Sequence, residues 1–273
     1  MAICLYCNKK TGFFSKFHKD CQLQYNTGVG LVFEVANKNF NNPQENQLLQ
    51  IAEICELSYI NIEKRNEILS EVFSNNLDLY LEDGVLSEEE EENLNKFSST
   101  YNIPQENLEK NQSLSRTVQA GIIRELLEGE EIQERITIAG VLPFKLLKSE
   151  KLIYVFQNVD LFEQKITVTY KGNTQGVSLK IAKGVYYRTG SFKGRPVHTM
   201  NTIPVARGLL AFTDKHLYFS SSLKNFRINF DKIVTVEPYS DGVGIQKDGA
   251  STKPLIFKNV DGWFCYNYIQ NIN

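Results

Sequence analysis

GLLAFTDKHLYFS, residues 208–220, decides the architecture of the C-terminal half. Its two runs, 208–213 and 216–220, are short and rich in apolar and aromatic residues, and Asp214-Lys215 between them is suited to a turn. Two strands and a tight connection are therefore expected. Working outward, further strand-like runs occur at 152–156, 165–170, 177–181 and 184–188, and again at 226–230, 232–236, 242–245 and 254–257. The last stretch, 261–272, contains the single tryptophan, Trp263, and sets Phe264, Tyr268 and Ile272 four residues apart, the spacing of a helix with one apolar face. Many short strands followed by one amphipathic helix predict an antiparallel barrel with the helix over an open end.

The hairpin Gly208–Phe219, followed by Phe226-Arg-Ile and Ile233-Val-Thr-Val-Glu, resembles the core of bacterial PH-like (pleckstrin-homology-like) and GRAM-like domains. In those domains a G-x-L-x-x-T-x-x-x-L-Y-F hairpin precedes an I-x-x-V strand. The resemblance implies a scaffold that binds lipids, peptides or proteins rather than an enzyme. Lys183, Arg188, Lys193 and Arg195 cluster about an expected loop at 190–196 and are the candidate ligand-binding residues, suited to phosphate or an acidic segment. A solvated basic hairpin is the plain alternative. His198 and His216 have no partner legible in the sequence. Gly242 and Gly244 lack the third glycine and following helix of a dinucleotide loop and read as a strand-edge bend.

The N-terminus carries the strongest chemical pattern. Cys4-x2-Cys7-x10-His18-x2-Cys21 supplies three thiols and an imidazole in two close pairs, the donor set of a tetrahedral zinc site. Cys4 and Cys7 flank a tight knuckle, and His18 and Cys21 fit one helical turn. Four protein ligands leave no position for water or substrate, so structural Zn2+ is the expected cofactor. A disulfide framework is disfavoured by the odd count of five cysteines and by a start without the basic and apolar regions of a secretory signal. A redox C-x-x-C is disfavoured because no βαβ pattern surrounds it. The segment resembles zinc-ribbon and treble-clef modules. Lys9, Lys10, Lys16 and Lys19 alternate there with Phe13, Phe14 and Phe17, so single-stranded nucleic acid is an alternative partner. The plainer reading gives those phenylalanines to the module's own core.

Between Asn46 and Glu130 the apolar pattern is helical. Asp83-Gly84 breaks it, and Ser87 with Glu90 three residues on forms a capping box at the head of a five-glutamate run. Leu94, Phe97 and Tyr101 predict the buried stripe of the next helix. Leu114, Val118, Ile122 and Leu126 predict another, closed by Gly129. Cys55 falls on an apolar face and reads as core. The junction LEDGVLSEEE, 81–90, resembles that of bacterial TerB-like helical domains; it lacks the alternating Asp/Asn ladder of an EF-hand.

The fold class that follows is α+β and multidomain: a zinc-binding module (1–30), a helical bundle (31–130) and a PH-like barrel capped by a helix (131–273). The formal charge of −2 hides an imbalance, since 1–130 holds 11 Lys+Arg against 21 Asp+Glu. The remainder, 131–273, is correspondingly basic, which suits an anionic or protein partner. Transmembrane insertion is not expected, as no apolar run approaches the roughly 18–20 residues needed. Peripheral membrane contact stays open, and a cytoplasmic location is expected. No G-x-S-x-G, P-loop or H-E-x-x-H is present and the three histidines are scattered, so the chain is read as a non-enzymatic interaction protein with no catalytic residues.

Overall fold

In a computed structural model, residues 2–12, 14–136, 140–182, 185–249 and 252–272 are described, with backbone alone for 165–182 and 185–201. The chain forms two units, Met1–Arg135 and Ile136–Asn273.

The first unit is helical: α1 (Lys19–Lys38), α2 (Glu45–Leu57), α3 (Ile62–Tyr80), α4 (Glu88–Thr100), α5 (Gln105–Glu109) and α6 (Ser113–Glu128). The longest of these, α1, lies outside the stretch where the sequence reads as helical, and it runs unbroken across position 30. It buries Gly28, Val32 and Ala36 along one face. Gly28 is needed there because a Cβ would lie 2.2 Å from the Ser58 side chain. Apolar side chains of α2, α3 and α4 complete the core, where Phe40 stacks on Phe97 with ring centroids 4.4 Å apart.

Local chemistry sets the helix ends. Ser87 Oγ accepts from Glu90 N–H, and the Glu90 carboxylate accepts from Ser87 N–H at 2.9 Å, closing the capping box read from the sequence. Leu94, Phe97 and Tyr101 are fully buried, as expected. In α6 Ile122 of the expected stripe is fully buried and Leu114 packs on the core, but the buried face also takes in polar groups. Ser113, Thr117, Arg124 and Glu125 are buried while Leu127 is exposed. Arg124 and Glu125 are held there by an ionic cluster. Arg124 pairs with Glu91 at 2.8 Å, and Arg135 bridges Glu91 at 3.2 Å and Glu125 at 2.5 Å. Arg135, with a backbone bond from Gln133, overcomes the upward push of burial and holds the Glu125 carboxyl low. Glu91 therefore leaves the solvated glutamate run and ties residues 133–135 to the bundle.

The second unit is one antiparallel sheet of seven strands: β1 (Leu152–Ala182), β2 (Val185–Thr213), β3 (His216–Ser220), β4 (Asn225–Asn229), β5 (Ile233–Tyr239), β6 (Gly242–Lys247) and β7 (Leu255–Lys258), followed by α7 (Gly262–Asn271). The hairpin 208–220 forms as read, with Leu210 opposite Phe219 and Phe212 opposite Leu217. The spatial order is β4-β3-β2-β1-β7-β6-β5. The sheet is thus open, not the closed barrel expected, because β4 and β5 are joined through a short 3-10 turn at Phe230–Lys232 without pairing. Another difference concerns the early strands. The separate runs expected at 152–156, 165–170 and 177–181 are one continuous strand, and the expected loop at 190–196 is strand backbone opposite 170–176. Beyond Glu163, β1 pairs only with β2, out to Ala182 opposite Val185. Nor are Gly242 and Gly244 at a sheet margin, since β6 pairs on both sides.

α7 covers the sheet as the sequence predicts. Asp261 caps it by accepting from Phe264 N–H at 2.9 Å. Phe264 and Tyr268 close an aromatic cluster with Tyr154, Phe156, Phe212 and Phe230. Gly262 permits the close approach, since a Cβ would meet the carbonyl oxygens of Tyr239 and Gly242 at 2.3 and 2.4 Å. Among the described residues no helix is long and apolar enough to cross a membrane.

Candidate metal centre and basic pocket

All four predicted ligands converge. One donor atom from each of Cys4, Cys7, His18 and Cys21 lies within 4.8 Å of every other, so the group can hold a metal ion. The backbone explains the convergence. Ile3 and Lys10 form an antiparallel bridge, Cys4 N–H donates to Lys9 O at 2.8 Å, and Asn8 takes a left-handed φ of 56° as the knuckle turns back. Cys4 and Cys7 are thereby set on one side. His18 is the N-cap residue of α1 and Cys21 lies in its first turn, so the two face the knuckle from one helical end.

The imidazole is oriented by a partner outside the cluster. His18 Nε2 lies 3.1 Å from the Lys10 carbonyl, which can only accept, so Nε2 carries the proton. Nδ1 is then left with a lone pair, 3.4 Å from Cys7 Sγ and 3.7 Å from Cys21 Sγ. Backbone N–H groups support the thiolates as well. Burial pushes the Cys4 thiol up, yet backbone bonds from Cys7, His18 and Tyr6 outweigh it and bring Cys4 down to about 6. Burial, followed by hydrogen bonding and charge repulsion from Cys7 and Cys4, raises Cys21 to about 11. Soft donors so crowded repel one another as anions, and a cation among them relieves that. The five cysteines form no disulfide; Cys55 and Cys265 are buried core residues.

One participant escaped the sequence reading. Tyr59, in the α2–α3 turn with φ 58°, lies within electrostatic reach of Cys21 and Cys7. Burial and then the charge of Cys21 and Cys7 hold its phenol above the usual range. Gln24 Nε2 donates to Leu57 O at 2.7 Å, and Tyr6 packs on Tyr25 with centroids 4.8 Å apart. The Cys/His module and the bundle are therefore built on each other through α1. Nothing in the spacing of the cysteines points to residue 59.

In the second unit, the expected basic cluster falls largely beyond description. Lys183 lies outside the described residues, as do the side chains of Arg188, Lys193 and Arg195. Their backbone positions in β2 face Ser178, Asn173 and Lys171 of β1. The second unit holds a different basic site. Lys224, Lys247 and Lys253, with Glu163, Phe226 and Leu255, line a cavity of about 310 Å3. Lys224 pairs with Glu163 and lies over the Phe226 ring, 5.9 Å from its centroid. Lys247 and Lys253 have no carboxylate partner among the described residues. Glu163 is also where the pairing of β1 with β7 ends, so the cavity sits at the root of the extended β1–β2 hairpin. That hairpin, 165–201, holds seven Lys+Arg and no Asp or Glu.

His216 does have a partner, Glu150. The carboxylate is wholly buried and accepts from Leu147 N–H (2.7 Å), Thr213 Oγ1 (2.6 Å), Tyr218 OH (2.8 Å) and His216 Nδ1 (2.9 Å). Burial opposes its ionisation, but the bonds from Thr213, Leu147, Tyr218 and His216 bring it down to about 2. With its lone pairs filled, this group fastens residues 147–150 to the β2–β3 hairpin.

No protein-family model matches the chain, and no curated protein matches it in sequence.

Proposed function

We propose that the protein is a non-enzymatic recruitment protein whose N-terminal module is held by one structural zinc ion and whose C-terminal unit is a PH-like domain that binds an anionic partner. Zinc is the ion that suits the donors. Zn–S bonds of about 2.3 Å and a Zn–N bond of about 2.0–2.1 Å at tetrahedral angles set sulfur and nitrogen about 3.6 Å apart. The His18 Nδ1 distances of 3.4 and 3.7 Å to Cys7 and Cys21 sulfur agree. Three thiolates and one imidazole complete the shell, so the ion shapes the module and meets no substrate. The PH-like reading is supported by the 208–220 hairpin, the seven antiparallel strands and the covering helix α7. The TerB-like likeness of the bundle has only the 81–90 junction and its capping box behind it.

The observation that carries the binding role is the lysine-lined cavity at the root of a hairpin rich in cations and free of carboxylates. Its partner is an acidic peptide or a phosphate-bearing molecule, recognised by charge at Lys247 and Lys253 with Phe226 as an apolar floor. Titration calorimetry with inorganic tripolyphosphate tests it. Micromolar binding by the natural protein, weakened at least tenfold by Lys247→Glu with Lys253→Glu and by added salt, is expected. Undiminished binding by that double variant removes the pocket from the proposal.

A further inference from the structure

Around the metal cluster the first 19 residues carry four lysines and no carboxylate, whereas 20–130 carry seven Lys+Arg against 21 Asp+Glu. A cationic cap thus sits on an acidic bundle. Its apolar groups are turned outward. Cys4 is fully buried, while its neighbours Ile3, in the bridge to Lys10, and Leu5, in the knuckle turn, are 61% and 70% exposed. Lysines rim this face. Lys10 is bridged to Ile3, Lys16 O accepts from Leu5 N–H at 3.1 Å, and Lys9, Lys10 and Lys16 are all exposed. Phe14, in the turn closed by Ser15 N–H on Gly12 O, is 99% exposed. Phe17 is instead half-buried, beside Tyr6 at 6.0 Å between centroids.

We infer that this face, Ile3, Leu5 and Phe14 within a rim of Lys9, Lys10 and Lys16, docks the protein on an anionic lipid bilayer, with the apolar groups entering the interface and the lysines meeting the headgroups. The charge of the cap disfavours a basic surface as its cover and complements a negative one. Aliphatic groups decide between lipid and nucleic acid. Bases stack on aromatic faces, whereas two of the three exposed groups, Ile3 and Leu5, are branched hydrocarbon that gains only by leaving water for acyl chains. The face rests on the metal reading for its shape, because the bridge and the knuckle hold Ile3 and Leu5 outward only while Cys4 is held inward.

Co-sedimentation of the full chain tests this with vesicles of phosphatidylcholine, alone or mixed with phosphatidylglycerol, zinc content being measured on each variant. The natural protein pellets with the mixed vesicles and not with phosphatidylcholine alone. Leu5→Asp lowers the partition at least tenfold with zinc retained, and Lys10→Glu with Lys16→Glu lowers it about 25-fold or more, at about fivefold per lysine. Lys247→Glu with Lys253→Glu, in the other unit, leaves the Leu5→Asp effect in place, which separates this face from the basic pocket. No pelleting by the natural protein, or equal pelleting by Leu5→Asp with zinc retained, overturns the inference. Retention on a single-stranded oligonucleotide that Lys10→Glu abolishes, without pelleting on vesicles, gives the face to nucleic acid and overturns it too.

Discussion

Two polar clusters, each containing a histidine, have opposite logic. At Glu150 the centre is part of the chain: a carboxylate whose oxygens accept from Thr213, Tyr218, His216 and Leu147. At Cys4, Cys7, His18 and Cys21 the groups around the centre are themselves electron donors, set 3.4 and 3.7 Å apart where sulfur meets Nδ1. A self-satisfied cluster is a fastening. A cluster of lone pairs converging on one point can hold something positive from outside. The polarity of the central groups, more than the presence of histidine, separates structural buried polarity from a binding site.

The largest effect expected from this contrast is on the metal module. The purified protein should contain one zinc per chain, and Cys4→Ser with Cys7→Ser should contain none. Among the described residues, 2–18 have a single isolated bridge and few buried apolar groups of their own. Binding energies of about 10–16 kcal/mol for small structural zinc sites far exceed what such a segment gains without the ion. The variant, and the natural protein with chelator, should therefore be cut by protease within the first 18 residues while α2–α6 persist. Metal analysis with limited proteolysis reads both, and zinc retained in the double variant would show the donors to be elsewhere.

The Glu150 cluster should answer to protons instead. Its folded pKa lies at about 2, below the reference value of 4.5, so the charged form is favoured by folding. A depressed carboxyl contributes stability that is fully present above about pH 4.5 and is lost as the pH falls toward 2. The difference corresponds to roughly 3 kcal/mol. Glu150→Ala should cost the second unit about 3 kcal/mol at neutral pH, with the Tyr218 hydroxyl, His216 Nδ1 and Leu147 N–H losing their acceptor. That cost should shrink steadily between pH 5 and 2. Trp263, the single tryptophan, lies on α7 in the same unit, so its fluorescence during urea unfolding follows this transition. A pH-independent penalty would mean that the cluster acts through packing alone.

The same contrast explains what the sequence discloses. Metal ligands obey local spacing rules, and both ligand pairs are two residues apart in the gap, so all four positions were legible. The capping box at Ser87 and the 208–220 hairpin are equally local. Illegible were features closed by distant partners: Glu150 lies 66 positions from His216, and Glu91 lies 44 from Arg135. Helix α1 was missed for another reason. Gly28, Gly30, Thr27, Val29 and Val32 are weak helix formers, and its burial against the bundle overrides that propensity. The basic pocket was missed because Lys224, Lys247 and Lys253 belong to separate strand ends that only the sheet order brings together.

The smallest effect expected is also the one that refines the contrast most. Tyr59, in the α2–α3 turn, places its phenol within electrostatic reach of Cys21 and Cys7. It is a proton donor beside a group of lone pairs, a minor version of the arrangement around Glu150. If a cation supplies most of the positive charge at the cysteines, Tyr59 only adjusts it. Tyr59→Phe should keep one zinc per chain and lower zinc affinity about tenfold, the low end for partners of metal ligands. Competition against a chromophoric chelator measures this directly. Loss of stoichiometric zinc in Tyr59→Phe would mean that the donor set is poised by the bundle as much as by its own knuckle. In that case the module and the helices are one cooperative unit, with the ion as its last component.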